Sequence, residues 1–399
     1  MESIQNIFKI GFGPSSSHTM GPAIAATNFK NQYSDASRYE VTLFGSLAAT
    51  GKGHLTDEAL YQILGTKLTI FWEPSIVKDF HPNALAFRAF SDNDTLLAEQ
   101  LVYSIGGGNI IYDSEKEIVK NMIYTKSSMN EILAWCKETG GAIWEYVEEV
   151  EGKGIWDYLE VVWDVMQQAI ERGIENEGII PGGLRLSRKA SSYYVKSKSY
   201  KSTLKRKSMT YAYALAVAEE NACGGRIVTA PTCGSSGVLP GVLYSLKMNY
   251  DYSDSKILRA LATAGIIGNL VKFNTSISGA EVGCQGEIGT ACAMTAAAAA
   301  QIFGATPIQI EYAAEMAMEH HLGMTCDPIA GLVQIPCIER NAFAATRALD
   351  AATYALLSDG THIVSFDKII QVMKQTGHDL PSIYRETAEG GIAIFANKS

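Results

Sequence analysis

The sequence predicts two domains, an α+β domain over residues 1–120 and a nearly all-helical domain over residues 121–399. The chain has 399 residues, which is more than one hydrophobic core usually serves. In the first part, short runs rich in β-branched and aromatic residues alternate with helical patterns. From about Met122 onward, long amphipathic patterns follow one another with little strand signal between them.

Three strand-like runs define the first domain: YEVTLFGS (39–46), TKLTIFWE (66–73) and ALAFRAFS (84–91). Helices are predicted at Asp57–Leu64 and at Thr95–Ile105. The segment GGGN (106–109) is expected to break the second helix and to turn the chain into a short strand, IIYD. Together these elements predict the α+β class.

The second domain begins with a helix whose two ends are marked in the sequence. The string SSMNEILAWCKETGG opens on a serine that can cap a helix and closes on two glycines. Further helices are predicted at Ala142–Val150, Ile155–Arg172, Tyr211–Asn221, Ser255–Gly268, Ala291–Phe303, Ile308–His321 and Ile338–Leu357. The window Ile288–Gly304 is made of Ala, Thr and Gly rather than Leu and Ile, which predicts a buried helix and not a membrane span.

The composition excludes several classes of partner. The net charge is -9, and the basic stretch Lys196–Lys207 suits a solvated loop or helix face, so we expect no nucleic-acid and no membrane partner. The sequence does not open on a basic segment followed by a long apolar core, which predicts a cytoplasmic location. Seven cysteines, an odd number, favour free thiols or metal ligands over disulfides.

Three of the cysteines are distinguished by their position. Cys284, Cys326 and Cys337 each lie in an irregular segment with glycine or proline, where a scaffold commonly presents ligands. Cys292 lies inside an alanine-rich helical pattern and is assigned to the core. No CxxC pair and no compact zinc or ferredoxin spacing is present, so spacing alone leaves a structural role and cluster ligation both open.

The segment GPSSSHTMGP (13–22) places hydroxyl side chains and an imidazole ahead of a predicted helix. Backbone N–H groups at a helix start, together with hydroxyl donors, can bind an anion such as a carboxylate. On the pattern alone, a helix cap made by one serine is an equal alternative. The residues concerned are Ser15, Ser16, Ser17, His18 and Thr19.

Other candidate side chains have ordinary interpretations as well. His54, in the turn TGKGHLTD (50–57), is either an exposed loop residue or an acid/base group, since the ordinary pKa of histidine is about 6.5. His320 and His321 point about 100° apart on a helix, so the helix dipole or support of a nearby metal site suits them better than a shared ion. Lys272, with the glycine loop 224–241, suggests a pyridoxal phosphate site, although such loops are unspecific.

Several longer strings resemble one enzyme family. SGAEVGCQGEIG, EHHLGMTCDP and GLVQIPCIERNA are similar to the C-terminal catalytic part of the bacterial iron–sulfur-dependent L-serine dehydratases, and GPSSSHTMGP resembles the start of that family's other domain. TGKGHLTD and YRETAEGGIAIFANKS, except at its very end, are also similar to the family. The strings occur in the family's order and span nearly the whole chain.

The resemblance implies an L-serine ammonia-lyase, which converts L-serine to pyruvate and ammonia. It implies a 4Fe–4S cluster on Cys284, Cys326 and Cys337, with one iron left free of protein sulfur to act as a Lewis acid on the departing hydroxyl. His54 is expected to remove the Cα proton, and His18 and Lys272 are the other candidate catalytic residues, Lys272 by binding a carboxylate or neutralising the cluster's charge. The implied substrate-binding residues are Ser15, Ser16, Ser17 and Thr19, which with His18 would hold the carboxylate.

The resemblance also bears on assembly. It implies that the N-terminal domain is related to a substrate-binding regulatory fold of phosphoglycerate dehydrogenases and supplies part of the active site across the domain interface, and we expect a homodimer. In single-chain relatives a C-terminal cysteine caps the fourth iron of the resting enzyme. This sequence ends in Asn397, Lys398 and Ser399, so a water, the Ser399 carboxylate or a partner's residue would take that position.

Three other functions are compatible with the sequence. A related lyase could act on L-cysteine or another β-substituted amino acid, because pocket shape decides that preference. A pyridoxal phosphate dehydratase would use Lys272 for a Schiff base. A non-catalytic amino-acid sensor is favoured only by the missing terminal cysteine and is opposed by the three cluster cysteines.

Overall fold

The computed structural model describes residues 1–115, 121–386, 388 and 390–396. The chain divides into two compact units, residues 12–120 on the one hand and Met1–Gly11 with Asn121–Ser399 on the other. The first contains a sheet with helices and the second is nearly all helical, so the predicted fold class is confirmed. The first eleven residues, which the predicted division put in the α+β domain, pack inside the helical unit because Ile4 and Phe8 are buried in its core.

The strands of the described residues follow one another along the chain. They are β1 (Ile10–Phe12), β2 (Arg38–Phe44), β3 (Leu68–Glu73), β4 (Ala84–Phe90), β5 (Leu96–Ser104), β6 (Ile110–Tyr112) and β7 (Arg226–Val228). The helices of the α+β unit are α1 (Gly21–Gln32), α2 (Gly45–Thr50) and α3 (Thr56–Leu64). The helical unit contains a small two-stranded sheet, in which β1, through Ile10 and Gly11, pairs with β7.

The α+β unit is built on a sheet of order β3-β2-β4-β5-β6. β2 and β3 run parallel, whereas β2–β4, β4–β5 and β5–β6 are antiparallel. Side chains along β2 alternate, so that Val41 and Leu43 are buried on one face with Phe87 of β4. Helices α1 and α3 cover this face through Phe29 and Leu60. The sheet therefore has a layer of helices packed on one face.

The predicted helix at Thr95–Ile105 is wrong. Residues 96–104 form β5, which pairs with β4 on one side and β6 on the other. The apolar residues of this segment are spaced as in a helix. The segment is nevertheless a strand, because β4 and β6 pair with it on its two sides. Gly106, Gly107 and Gly108 all have positive φ and form the hairpin connection to the predicted strand IIYD, which is confirmed.

The second unit is a packed set of helices. In chain order they are α4 (Met129–Thr139), α5 (Ile143–Glu151), α6 (Gly154–Glu175), α7 (Ala190–Ser197), α8 (Ser202–Ala222), α9 (Val238–Tyr250), α10 (Asp254–Asn274), α11 (Gly279–Val282), α12 (Thr290–Ile302), α13 (Pro307–Glu319), α14 (Cys337–Leu356), α15 (Phe366–Asp379) and α16 (Ile392–Ala396). The basic stretch 196–207 runs from the end of α7 into the first turns of α8.

Helix α12 is the centre of this unit. Every residue of α12 except Gln301 is buried, and the helix packs against α9, α10, α13 and α14. A helix that is apolar on all sides belongs in a core, and its alanines allow the neighbouring helices to approach closely. Cys292, predicted to be core, is fully buried here and its thiol donates to the carbonyl oxygen of Ala344 at 3.4 Å. Within the described residues, no helix combines the length and apolar character needed to cross a bilayer.

Candidate active site

The motif SSSHT forms a tight turn at the start of α1. Residues 16–20 make one π-helical turn, and Ser15 is its cap, since its Oγ accepts a hydrogen bond from the His18 backbone N–H at 3.1 Å. Thr19 Oγ1 donates to the carbonyl oxygen of His54 at 2.7 Å. Ser17 is partly exposed, and its Oγ lies 3.1 Å from His18 Nδ1. Ser15 and Thr19 therefore organise the turn, while Ser17 is the more accessible hydroxyl.

The structure brings His18 and His54 together in the α+β unit. The centroids of the two imidazole rings lie 4.5 Å apart, and both rings are buried. His18 Nε2 lies 3.0 Å from Ser46 Oγ, in α2, and Thr56 Oγ1 donates to the His18 carbonyl oxygen at 2.6 Å. The turn after β2 and the turn before α1 are thus tied to each other at the two histidines.

The hydrogen bonds of His54 determine which of its ring nitrogens carries the proton. Thr50 Oγ1 donates its only hydrogen to the carbonyl oxygen of Ser46 at 3.0 Å. It therefore accepts from His54 Nδ1, which lies 3.2 Å away, and Nδ1 carries the proton. Nε2 is left with a lone pair, and it is a buried atom with no hydrogen-bond partner among the described residues.

Burial makes both histidines weak bases. Burial lowers the pKa of His54 to about 4, although the contact with Thr50 opposes the shift. Burial, followed by the neighbouring His54, holds the pKa of His18 well below the ordinary value. At neutral pH both rings are neutral, so His54 Nε2 is able to accept a proton.

The three candidate cysteines come from three separate segments of the helical unit. Cys284 follows Gly283, whose φ is +75°, and precedes a π-helical turn, residues 285–289, that runs into α12. Cys326 lies in the connection between α13 and α14, and Cys337 is the first residue of α14. The Cys284 backbone N–H donates to the carbonyl oxygen of Met324 at 3.0 Å, which ties the first segment to the second.

The sulfur atoms meet around one guanidinium. The Cys326 thiol donates to Cys284, and Arg340, one turn into α14, also donates to Cys284. The bond from Cys326, then the charge and hydrogen bond of Arg340, lower the pKa of Cys284 to about 6 against the effect of burial. The same bond raises the pKa of Cys326, and burial together with Cys284 raises that of Cys337. The lowered pKa favours the thiolate form of Cys284, which accepts hydrogen bonds from Cys326 and Arg340.

Two carboxyl groups lie beside the cysteines. Glu287, in the π-helical turn, accepts a hydrogen bond from the Thr232 side chain, and burial and then Cys284 hold its pKa well above the ordinary value. Burial and then Cys284 raise the pKa of Glu386, in the C-terminal segment, to about 7. Each residue as a whole is partly exposed, while its carboxyl group is the part that burial and Cys284 affect.

Gly279, the first residue of α11, leaves room between these groups. A Cβ atom at this position would lie 3.0 Å from Cys326 Sγ and 3.0 Å from Glu287 Oε2. Because real Cβ atoms seldom come so close, a side chain here would crowd the sulfur. The absence of a side chain keeps one flank of Cys326 open.

The glycine loop before α9 belongs to the same site. Asn341 Nδ2 donates to the carbonyl oxygens of Gly234 at 2.7 Å and Cys337 at 2.9 Å, and its Oδ1 accepts from the Gly237 N–H at 2.9 Å. This amide fastens the loop to the first turn of α14. The loop thereby brings Thr232 to the carboxyl of Glu287.

The remaining candidates lie in other surroundings. Lys272 Nζ forms an ion pair with Glu2 Oε2 at 3.1 Å, in α10 of the helical unit. His320 Nδ1 and His321 Nδ1 lie 2.8 and 2.6 Å from carbonyl oxygens of their own helix, as expected for histidines at a helix C-terminus. Ser399 lies outside the described residues. Among the described residues, no three His, Cys, Asp or Glu side chains are grouped so as to hold a single metal ion.

Sequence reasoning missed Arg340, Glu287, Glu386 and Thr232 as residues around the cysteines. Glu287 lies three residues after Cys284, and Arg340 lies three residues after Cys337. Glu386 lies near the end of the chain, and all three are in strings that resemble the family. A charged residue three positions after a cysteine on a helical path lies on the same side as the sulfur, which was the available signal. Nothing in the sequence alone relates Glu386 to Cys326.

Thiols beside buried carboxyl groups form an enzyme-like centre in the helical unit. The same chain holds a pair of neutral histidines in the α+β unit. The serine dehydratase alpha chain family model matches residues 109–393, and the serine dehydratase beta chain family model matches residues 3–69 and 63–115. The chain belongs to the serine dehydratase family, with the alpha and beta parts in one polypeptide. The predicted resemblance is confirmed at this level.

Relatives from several bacteria match nearly the whole chain. An L-serine dehydratase of Haemophilus influenzae is 40% identical over 451 positions, which cover 99% of each protein. L-serine dehydratase 2 of Escherichia coli is 40% identical over 450 positions, again 99% of each. An L-serine dehydratase of Mycobacterium tuberculosis is 40% identical over 455 positions, 98% of this chain and 97% of the relative. The expectation of an enzyme of the ammonia-lyase class is confirmed by these relatives.

Proposed function

We propose that the protein deaminates L-serine to pyruvate and ammonia by β-elimination of water, using a 4Fe–4S cluster held by Cys284, Cys326 and Cys337. The observation that carries the proposal is the convergence of these three thiols, from three separate segments, around Arg340. The names of the full-length relatives support L-serine as the substrate.

The residues present fit such a cluster. Iron–sulfur clusters are held by cysteine thiolates, each of which binds a different iron, so the grouping needed differs from that around a single ion. Arg340 stabilises negative charge on the sulfurs, and the missing side chain of Gly279 leaves space beside Cys326 and Glu287. When bound, the cluster would supply a Lewis-acidic iron, free of protein sulfur, for the hydroxyl that departs.

His54 is the proposed base for the Cα proton. Its Nε2 carries a lone pair, because Nδ1 donates to Thr50, and no partner among the described residues competes for it. A base must be unprotonated to act, and burial keeps the ring neutral at physiological pH. The centroid of the His18 ring lies 4.5 Å from that of His54. Because two positive charges so close repel each other, only one of the two rings would be protonated at a time.

The SSSHT turn is proposed to bind the substrate carboxylate. In this proposal Ser15 and Thr19 maintain the shape of the turn by their bonds to His18 and His54, and Ser17 offers its hydroxyl to the ligand. Ser16 and His18 complete the group. Binding of the carboxylate would orient the Cα–H bond toward a base. Orientation of the reacting groups in this way lowers the barrier to proton removal.

The overall chemistry balances without a redox partner. The Cα–H electron pair forms the Cα–Cβ double bond, and the β-hydroxyl leaves with a proton as water. The product, aminoacrylate, tautomerises to an imine, and one water hydrolyses the imine to pyruvate and ammonia. No electron is gained or lost overall, so the cluster would serve as a Lewis acid and not for electron transfer.

Each cluster cysteine can be tested separately. In protein purified anaerobically, Cys284→Ser, Cys326→Ser and Cys337→Ser are each expected to lower iron and sulfide per chain and to remove serine-dependent pyruvate formation, because the oxygen of serine is a poor ligand for this cluster. Cys292→Ser is the matched control, since its thiol lies in the core and donates to Ala344. It should retain iron, sulfide and activity.

The same preparation separates the alternatives. An iron-free protein that forms pyruvate from serine would disprove the proposal, and a visible Schiff-base band lost in Lys272→Ala would favour pyridoxal phosphate. Faster pyruvate release from L-cysteine than from L-serine would change the substrate but keep the site. Serine binding by calorimetry without any pyruvate, in cluster-replete protein, would indicate a sensor.

A further inference from the structure

The carboxylate of Asp327, next to Cys326, joins three parts of the helical unit. The side chain is 3% exposed. Its Oδ1 accepts from Thr325 Oγ1 at 3.1 Å and lies 3.6 Å from Arg340 Nη2, and Arg340 Nη1 donates to the Thr325 carbonyl oxygen at 2.8 Å. Its Oδ2 accepts from the Ile392 N–H at 2.7 Å, at the start of α16. One buried side chain therefore contacts the Cys326 loop, the Cys337 helix and the C-terminal segment.

Gly391 shows how closely the C-terminal segment approaches this carboxylate. A Cβ atom on Gly391 would lie 1.8 Å from Asp327 Oδ2, and the φ of this residue is +58°, where residues other than glycine are strained. The position therefore requires glycine for two independent reasons. Only a bare backbone can bring the Ile392 N–H to the carboxylate.

A second set of bonds continues the attachment along the chain. The Cys326 N–H donates to the Tyr384 carbonyl oxygen and the Glu386 N–H donates to the Cys326 carbonyl oxygen, both at 2.7 Å. Glu386 has a φ of +60°, an uncommon conformation for a residue with a side chain. The backbone bonds and the Asp327 contact together keep Glu386 beside the cysteines despite that strain.

We propose that Asp327 is a positioning residue that fastens Arg340 and the described parts of the C-terminal segment, residues 384–386 and 390–392, to the Cys326 loop, so that these residues form one wall of the cysteine site. The cluster itself belongs to the proposed function, on which this part of the inference rests. The attachment does not depend on a cluster or a substrate, and it can be measured in the iron-free protein. The two proposals therefore fail separately.

Hydrogen–deuterium exchange followed by mass spectrometry tests the attachment in the iron-free full chain. Asp327→Ala is expected to raise the exchange rate in peptides that include Ile392 by about 10- to 100-fold, since a hydrogen bond to a charged group is lost. Asp367→Ala is the matched control, because Asp367 also accepts from two backbone N–H groups, of Met129 at 2.7 Å and Asn130 at 2.9 Å. It should raise exchange at the start of α4 and leave Ile392 unchanged.

Cluster retention tests the positioning role. After anaerobic reconstitution, Asp327→Ala should lose iron about 10- to 100-fold faster than the unaltered protein, as is typical when a residue that supports metal ligands is removed. Asp327→Asn, which retains an oxygen for the Ile392 N–H but loses the charge facing Arg340, should fall between the two. Gly391→Ala should reproduce the exchange and iron loss of Asp327→Ala, and the double variant should be no worse than either alone.

Two results would overturn the inference. The first is unchanged exchange at Ile392 in Asp327→Ala while Asp367→Ala raises exchange at Met129. The second is normal iron retention in variants whose C-terminal segment exchanges freely. If Asp327→Ala does not fold, Asp327→Asn and Gly391→Ala decide the question by the same measurements.

Discussion

At the residue scale, His54 owes its character to a single threonine hydroxyl. Thr50 Oγ1 is already donating to Ser46, so it can only accept from His54 Nδ1. The proton is thereby fixed on one nitrogen, and the other keeps a lone pair that is buried and has no hydrogen-bond partner among the described residues. A loop histidine in water would interconvert between tautomers, whereas this one is held in the form that a proton acceptor needs.

His54→Gln is expected to lower kcat by about 10²- to 10⁴-fold, which is the usual contribution of a positioned base, with a much smaller effect on serine affinity. Because the pKa of His54 is lowered to about 4, its protonation should add no loss of kcat/KM between pH 8 and 6. Steady-state kinetics of pyruvate formation across this range would provide both results.

Two further variants sharpen that comparison. Thr50→Val keeps the imidazole but removes the acceptor that fixes its tautomer, so it should lower kcat less than His54→Gln does. His378→Gln replaces an exposed histidine of α15 and should leave kcat unchanged. A His54→Gln enzyme with normal kcat would show that the base is another group.

The sequence singled out the cysteines and His54 as candidates, but not the charged groups that the fold places beside the cysteines. A cysteine in an irregular segment is unusual enough to attract notice, whereas Arg340 and Glu287 are ordinary helix residues until the fold brings them to the sulfurs. Glu386 is about 60 residues from Cys326 along the chain, and only the backbone bonds of the folded C-terminal segment join them. Long-range contacts of this kind leave no local pattern.

At the element scale, both candidate motifs adopt the same uncommon turn. Residues 16–20 and residues 285–289 are single π-helical turns, one leading into α1 and the other into α12. A π-turn inserts an extra residue into the helical path, and such turns occur frequently at functional sites. In each case the turn shifts the side chains ahead of a long helix, so that Ser15 and Cys284 lie at its start.

Local sequence rules predicted some elements correctly, such as helix α4, but did not predict others, such as helix α9. The serine cap and the glycine end of α4 were both confirmed, with Ser128 and Glu131 forming a capping box. Helix α9 was not predicted, and its first residues were included in the glycine loop 224–241. Pro240 lies in the first turn, where a missing N–H costs nothing, and Gly241 is needed because a Cβ would lie 2.8 Å from the Ala214 backbone nitrogen.

One face of α13 carries acidic residues at successive turns, Glu311, Glu315 and Glu319. Glu315 is 2% exposed, and burial, then a hydrogen bond with Glu319 and the charges of Glu319 and Glu311, raise its pKa to about 8. His362 faces Glu311 at 2.9 Å. Glu315 is therefore protonated in the folded protein at neutral pH.

This arrangement predicts how stability changes with pH. Between the ordinary pKa of 4.5 and about 8, the folded chain holds a proton on Glu315 that the unfolded chain releases. The free energy of unfolding should therefore fall as pH rises through this range, by at most about 1.4 kcal/mol per pH unit from this group. Urea unfolding of the protein and of Glu315→Gln at several pH values measures the difference.

The glutamine variant should lose this part of the pH dependence, because it stays neutral at every pH. Glu160→Gln, at an exposed position of α6, is the control and should keep the slope of the unaltered protein. Equal slopes for Glu315→Gln and the unaltered protein would contradict the assignment.

At the scale of the whole molecule, the sequence predicted the order of the two folds but not the path of the chain. The change of composition near residue 120 reflects the real change from sheet to helices. The first eleven residues were misplaced because a short apolar segment carries no sign of which core it will join. In the structure Met1, Ile4, Ile7 and Phe8 lie in the helical core.

The expected homodimer stays a prediction. The test is sedimentation velocity of the anaerobic protein, which should give twice the mass of the 43.1 kDa chain at micromolar concentration. The same run with iron-free protein separates assembly from cluster binding. A single species of one chain in both samples would rule the homodimer out.

The placement of residues 1–11 has a consequence for dividing the protein. Since these residues belong to the helical core while residues 12–115 form the sheet, the α+β unit is an insertion between two pieces of the other one. A polypeptide cut after residue 115 would leave the smaller fragment with an apolar N-terminal segment whose side chains pack in the core of the larger fragment. We therefore expect the two fragments to reassociate through burial of this apolar segment, without the help of any catalytic group.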